Sequence, residues 1–130
     1  MGRTAAEPRR FPAEIVAAIH KSKILGIRAG AGPHRIIGVW AVVVDGRVFV
    51  RSWGVKSGGW YRTFRKEPQG TMAIEGRELP VRAVQTRSEL LKDAVDQAYR
   101  EKYNTPGALK YVRDLCEERC RATTTELVPL

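Results

Sequence analysis

Apolar residues recur along this chain with two distinct spacings. Ile15, Val16 and Ile19 fall at i, i+1 and i+4 after Pro12, which predicts a helix at about 12–22 with one apolar face. Ile24–Arg28 reads as a short strand, broken by Gly30, Gly32 and Pro33. The longest apolar run, Ile36–Val44, is rich in β-branched residues, and Asp45-Gly46 separates it from Val48–Val50. An Asp-Gly pair between two such runs signals a two-residue hairpin, because glycine accepts the positive φ that a type I′ turn needs. Alternation then sends Val48 and Val50 to one face of the second strand and Arg47, Phe49 and Arg51 to the other.

The spacing changes again further on. Gly54, Gly58 and Gly59 mark residues 53–59 as a loop, and Trp60–Lys66 reads as a short helix ended before Pro68. Thr71–Ile74 and Arg77–Val84 flank Glu75-Gly76 as a second hairpin, in which Pro80 predicts an edge strand or a bulge. Thr86 and Glu89 have capping-box spacing ahead of a helix that carries Leu91, Val95, Ala98 and Tyr99 and runs to about Tyr103. Thr105-Pro106 opens another helix, with Leu109, Val112 and Leu115 facing the core. Thr123–Pro129 reads as a final strand. Six strands in hairpins and three or four helices predict a mainly β, α+β fold with flanking helices, not a doubly wound sheet.

Composition narrows this picture. The 130 residues suit one domain, placed at 11–130 behind a lead-in at 1–10 that carries Pro8 and three arginines. An apolar share of 43% is that of a globular protein rather than a disordered one. No apolar run reaches the roughly 18 residues of a membrane span, and no apolar stretch follows the N-terminal arginines as in a signal peptide. Two cysteines, Cys116 and Cys120, neither form a disulfide framework nor complete a zinc site, so the chain is expected to be cytoplasmic.

The net charge of +9 is the unusual number, and it is unevenly spread. Residues 1–35 contribute +5, residues 47–66 contribute +6 without a single acid, and residues 87–130 are neutral. The densest block also holds Trp53, Trp60, Tyr61 and Phe64. Cations interleaved with aromatic rings suit a pocket for an anionic aromatic ligand as well as they suit a nucleic-acid surface.

The candidate site therefore lies between Val50 and Arg62, running from a strand end through a glycine-rich loop into a helix start. Arg51 and Lys56 supply charge, Ser52 and Ser57 hydroxyl donors, Gly58 and Gly59 open backbone at the helix start, and Trp60 and Tyr61 flat faces. Arg62 follows on the helix, and Arg35 at the start of the long strand is a further phosphate candidate. The plainer alternative is a loop of solvated charges with tryptophans packed on a barrel end. The spacing matches neither a Walker A loop nor G-x-G-x-x-G. His20 and His34 have no ligand partner at metal-binding spacing, and Asp96 and Arg100 have the spacing of a surface ion pair.

Several segments together resemble a family of small bacterial proteins known as domain of unknown function 2255. They are Phe11-Pro12, Ile37-Gly38-Val39-Trp40-Ala41-Val42-Val43, Val50-Arg51-Ser52, Gly59-Trp60-Tyr61-Arg62, the stretch from Asp96 to Tyr103, and Ala122–Pro129. That family is grouped with flavin-binding split barrels, which include pyridoxamine-phosphate oxidases and deazaflavin-dependent reductases. The resemblance implies a six-stranded antiparallel Greek-key split β-barrel, a homodimer, and FMN or a deazaflavin at the interface. It assigns phosphate contacts to Arg35, Arg51, Ser52 and Ser57 and places Trp60 and Tyr61 near the ring.

Three functions are carried forward. The first is a flavin- or deazaflavin-dependent oxidoreductase acting on a small molecule. The second is a cofactor-free barrel that binds another aromatic or anionic ligand. The third, less favoured, is a nucleic-acid-binding module, for which no helix-turn-helix, zinc-finger or RNA-recognition signature is present.

Overall fold

The computed structural model describes residues 10–53 and 59–130. Among these residues seven antiparallel strands form one sheet, β1 (Leu25–Ala29), β2 (Ile37–Val39), β3 (Ala41–Val44), β4 (Arg47–Val50), β5 (Gln69–Ile74), β6 (Arg77–Gln85) and β7 (Thr125–Pro129). Their spatial order is β2-β1-β5-β6-β7-β4-β3. The two end strands, β2 and β3, are consecutive in the chain and separated by Trp40 alone. The sheet thus rolls into a nearly closed barrel whose two ends meet at that residue. The expected count of six becomes seven here, because the run Ile36–Val44 is one strand in sequence but bends at Trp40 and pairs with β1 before the bend and β4 after it.

Both predicted hairpins form as expected. Asp45 and Gly46 have φ of 52° and 73°, and Glu75 and Gly76 have 50° and 76°, the two successive positive values of a type I′ turn. Pro80 departs from expectation, since β6 lies between β5 and β7 rather than at an edge. The Pro80 carbonyl accepts a bond from the Leu130 N–H, so its ring nitrogen faces the same neighbour, just past the Val81–Pro129 pair that ends the β7 ladder. Only the reciprocal donor of that terminal Pro80–Leu130 pair is forfeited, beyond the end of the ladder.

Among the described residues five helices flank the barrel, α1 (Ala13–Lys21), α2 (Trp60–Lys66), α3 (Glu89–Lys102), α4 (Pro106–Leu115) and α5 (Glu118–Arg121). Ser88 rather than Thr86 caps α3, its hydroxyl accepting the Leu91 N–H, while the Thr86 N–H is taken by the Thr124 carbonyl. The Thr105 hydroxyl caps α4 through the Ala108 N–H. In α4, Val112 and Leu115 are buried as expected, but Leu109 is 43% exposed.

Two apolar clusters result. The barrel interior holds Leu25, Ile27, Val48, Val50, Met72, Val81 and Leu127, closed by Ile15 and Ile19 of α1 and Phe64 of α2. Outside the β3–β4 hairpin, Val42 and Phe49 meet Val95, Tyr99, Tyr103, Val112 and Leu115 of α3 and α4. Strand β4 is therefore buried on both faces. Helix α2 is set against the sheet at Gly70, where a Cβ would lie 2.4 Å from the Arg28 carbonyl oxygen and 2.7 Å from the Phe64 ring, so only glycine fits.

The bend at Trp40 takes main-chain groups out of the ladder, and buried carbonyls need other donors. Residues spaced i, i+3, i+4 at the end of α3 and its C-cap supply donors to this bend and to carbonyls at and after the end of α1. Tyr99 donates to the Trp40 carbonyl at 2.7 Å, Lys102 to the carbonyls of Ala41 at 2.6 Å and Ile19 at 2.9 Å, and Tyr103 to the Lys23 carbonyl at 2.6 Å. The Tyr103 ring also stacks on Trp40, with centroids 4.1 Å apart.

Candidate functional site

The candidate residues divide between two places. Arg51, at the end of β4, points into the layer under the helices, where its side chain is wholly buried. Its guanidinium donates to Asp96, to the Thr124 hydroxyl at 2.9 Å, to the Leu115 carbonyl at 3.0 Å and to the Lys92 carbonyl at 3.0 Å. It lies 5.8 Å from the centre of the Tyr99 ring. Asp96 is buried between Arg51 and Arg121. The surface pair expected between Asp96 and Arg100 is replaced by this internal network, because α3 turns the carboxylate toward the sheet.

Ser52 follows into the same layer. Its backbone N–H donates to the Thr123 hydroxyl at 2.8 Å, and that hydroxyl in turn donates to the Cys120 carbonyl at 2.7 Å. The segment from Arg51 to Ser52 is thus joined to the turn before β7. Arg47, on the same strand, pairs through both nitrogens with Glu126 of β7 at 2.8 and 3.0 Å, and this pairing holds its guanidinium more firmly charged than usual. Two of the six cations in the block 47–66 are therefore neutralised by acids far along the chain.

Arg35 and Trp60 lie apart from this network. Arg35 and Trp60, brought together by β1 and α2, line one groove of about 200 Å³ with Ile27, Ala29, His34, Ile37 and Thr63. Arg35 is exposed, with no ion-pair partner among the described residues, and the half-buried Trp60 packs on the barrel core and edge-on to Phe64. The chain just after β1 is tied down nearby, where the Glu67 carboxylate accepts the Ala31 N–H at 3.2 Å and the Gly30 N–H bonds to the Gln69 carbonyl. Gly59 is the cap position of α2.

Tyr61 turns away from this groove, its hydroxyl donating weakly to the Ala122 carbonyl at 3.4 Å and its ring lying under Arg65. Arg62 is exposed on α2. Lys56, Ser57 and Gly58 lie outside the described residues. His34 and Thr63 were not selected from sequence; the only signal was their proximity to Arg35 and Trp60, which the fold supplies.

Nucleophilic cysteine chemistry finds no support. Burial pushes both the Cys116 and Cys120 thiols up from their ordinary range, which keeps them protonated. Among the described residues no group of three histidine, cysteine or carboxylate side chains is arranged to hold a metal ion. No helix there is long and apolar enough to cross a membrane.

Comparison with known proteins agrees with this architecture. A family model described as an uncharacterized protein conserved in bacteria (DUF2255) matches residues 14–127. The crystal structure of the conserved hypothetical protein Rv2991 from Mycobacterium tuberculosis superposes with a TM-score of 0.60 at 14% identity, over 99% of this chain and 85% of that one. At that identity the likeness is one of fold. No curated protein matches the sequence.

Proposed function

The chain belongs to this family of uncharacterized proteins conserved in bacteria, and we propose that it binds an anionic planar cofactor, FMN or a deazaflavin, and serves as an oxidoreductase for a small molecule. The observation that carries the reading is the meeting of Arg35 and Trp60, 25 positions apart, in one groove. An exposed, unpaired guanidinium suits a phosphate, with which it forms bidentate charge-assisted bonds. The indole offers an apolar surface beside it. The bound cofactor would supply the hydride chemistry, and the protein binding and orientation.

The fit is partial in size. A groove of about 200 Å³ is smaller than the roughly 300–1,000 Å³ of pockets that enclose a whole small molecule. It seats one end of a flavin, and a second copy of the chain is proposed to cover the rest. Ile37, 43% exposed where it lines the groove at the start of the end strand β2, and Ile36 just before it, 37% exposed, support such a contact. Arg51 is not part of this proposal, because its donors are engaged inside the protein.

Equilibrium dialysis against FMN and a deazaflavin tests the reading. Binding at micromolar concentration that weakens in the Arg35→Ala variant supports it. Absence of binding at high micromolar concentration overturns it, and a melting shift with a different aromatic anion would then favour the cofactor-free alternative.

A further inference from the structure

A larger cleft lies in front of the Trp40 corner and shares no lining residue with the Arg35 groove. Its volume is about 710 Å³, within the range of sites that take small molecules. It opens between the C-terminal end of α1, the β2–β3 bend and the junction of α3 with α4. Its apolar wall is Trp40, Val42, Val43 and Ile24, with Trp40 stacked on Tyr103, which also lines the cleft.

The charge around this wall is one-sided. Lys21, Lys23 and Lys102 line the cleft and face a single carboxylate, Glu101. The His20 ring also lines the cleft. Lys21 and Lys23 are exposed and have no ion-pair partner among the described residues. Lys102 differs, since it is half-buried and two of its three N–H groups are used on the carbonyls of Ile19 and Ala41. Burial pulls its amine down to about 8, so an anion beside it would restore the charge that desolvation opposes.

We propose that this cleft is a second small-molecule site, which takes a planar aromatic anion with its ring against Trp40 and its charged group toward Lys21, Lys23 and Lys102. The inference is independent of the Arg35 groove. The flat indole–phenol stack selects planarity, and the exposed Lys21 and Lys23 select charge as mobile point cations beside the anchored Lys102. This suits a carboxylate or phosphate presented at variable angles.

The test uses 1-naphthoate and its neutral analogue 1-naphthamide, titrated into the full chain while the three tryptophan indole N–H resonances are followed by NMR. Trp→Phe variants assign the resonances. The expected result is saturable movement of the Trp40 signal by naphthoate, with naphthamide weaker by about ten-fold, equivalent to about 1.4 kcal/mol. The Lys21→Glu/Lys23→Glu double variant alters only exposed side chains. It is expected to weaken naphthoate by a similar factor and leave naphthamide unchanged. Equal affinities for the two compounds, movement of the Trp60 signal without the Trp40 signal, or no saturable binding at all overturns the proposal. The Arg35→Ala variant, which reports on the other groove, should leave this titration unchanged.

Discussion

Arg51 and Asp96, 45 residues apart, form an ion pair in the layer between the outer face of β4 and helix α3, with the arginine side chain wholly buried. Such a pair gains little over apolar packing, but removal of one member leaves a buried charge without its counterion. Arg51→Ala is therefore expected to destabilise the fold by about 3 kcal/mol, at the lower end for such a change because Arg121 still contacts Asp96. The Arg51→Met/Asp96→Leu double variant should recover most of the loss. Urea unfolding of the three proteins checks this, and a single variant as stable as the parent would show that the pair is dispensable.

Packing at Gly70 gives a second prediction. Gly70→Ala sets a methyl group against the Arg28 carbonyl, which belongs to a strand and cannot swing aside, and against the Phe64 ring. Overpacking of this kind costs about 1–3 kcal/mol. Gly76→Ala is the contrast, because nothing lies within 4 Å of its Cβ and only the positive φ of 76° opposes it. A strained φ of this kind costs about 1–2 kcal/mol. Thermal melts should show Gly70→Ala as the greater loss, with disturbance of the α2 resonances in that variant alone.

These relationships mark what sequence patterns convey and what they leave open. Asp45-Gly46 and Glu75-Gly76 were legible because a two-residue turn is a local event, decided by φ at two positions. The bend at Trp40 was not, because both sides of it are apolar and β-branched, and only the barrel's closure requires a corner there. Alternation placed Arg51 on the outer face of its strand correctly but could not say that a helix layer covers that face. The same covering turned Asp96 inward, and it converted part of the basic block from a ligand lining into internal pairs. Ser88 displaced Thr86 as the α3 cap because the Thr86 N–H was already engaged across to Thr124. Arg35 and Trp60 were both legible as candidates by residue type, while their meeting depends on the β1–α2 contact, which has no signature in the chain.

Lys102 predicts a pH effect. Its folded value of about 8 lies below the ordinary 10.5, so between these two values the unfolded chain holds a proton that the folded chain has released. Stability then rises with pH through that window. The tyrosines and cysteines act oppositely. Burial raises Tyr99, Tyr103, Cys116 and Cys120, so each favours the unfolded state once its own unfolded value is passed. The difference between parent and Lys102→Met cancels those contributions. It should move in the parent's favour from pH 8 to pH 10.5 and stay flat from pH 6 to pH 7, as read from paired melting curves. A difference independent of pH would mean that the two carbonyl bonds keep the ammonium charged throughout.

The Arg35 groove predicts a discrimination among flavins. If the guanidinium holds a phosphate, its removal should cost FMN about 1.5–3 kcal/mol, the worth of a charged hydrogen bond, or roughly ten- to a hundred-fold in Kd. Riboflavin has the same ring system and no phosphate, so its affinity should be nearly the same for the parent and Arg35→Ala. Trp60→Ala should weaken both, since the indole borders the ring and not the phosphate alone. Arg35 is exposed and unpaired among the described residues, so its variant should melt within about 2 °C of the parent, as expected for a surface change within roughly 0.5 kcal/mol. Fluorescence titration of both flavins against the three proteins measures each term. Equal losses for FMN and riboflavin in Arg35→Ala would place the phosphate elsewhere, and losses accompanied by a lowered melting temperature would assign Arg35 to the fold.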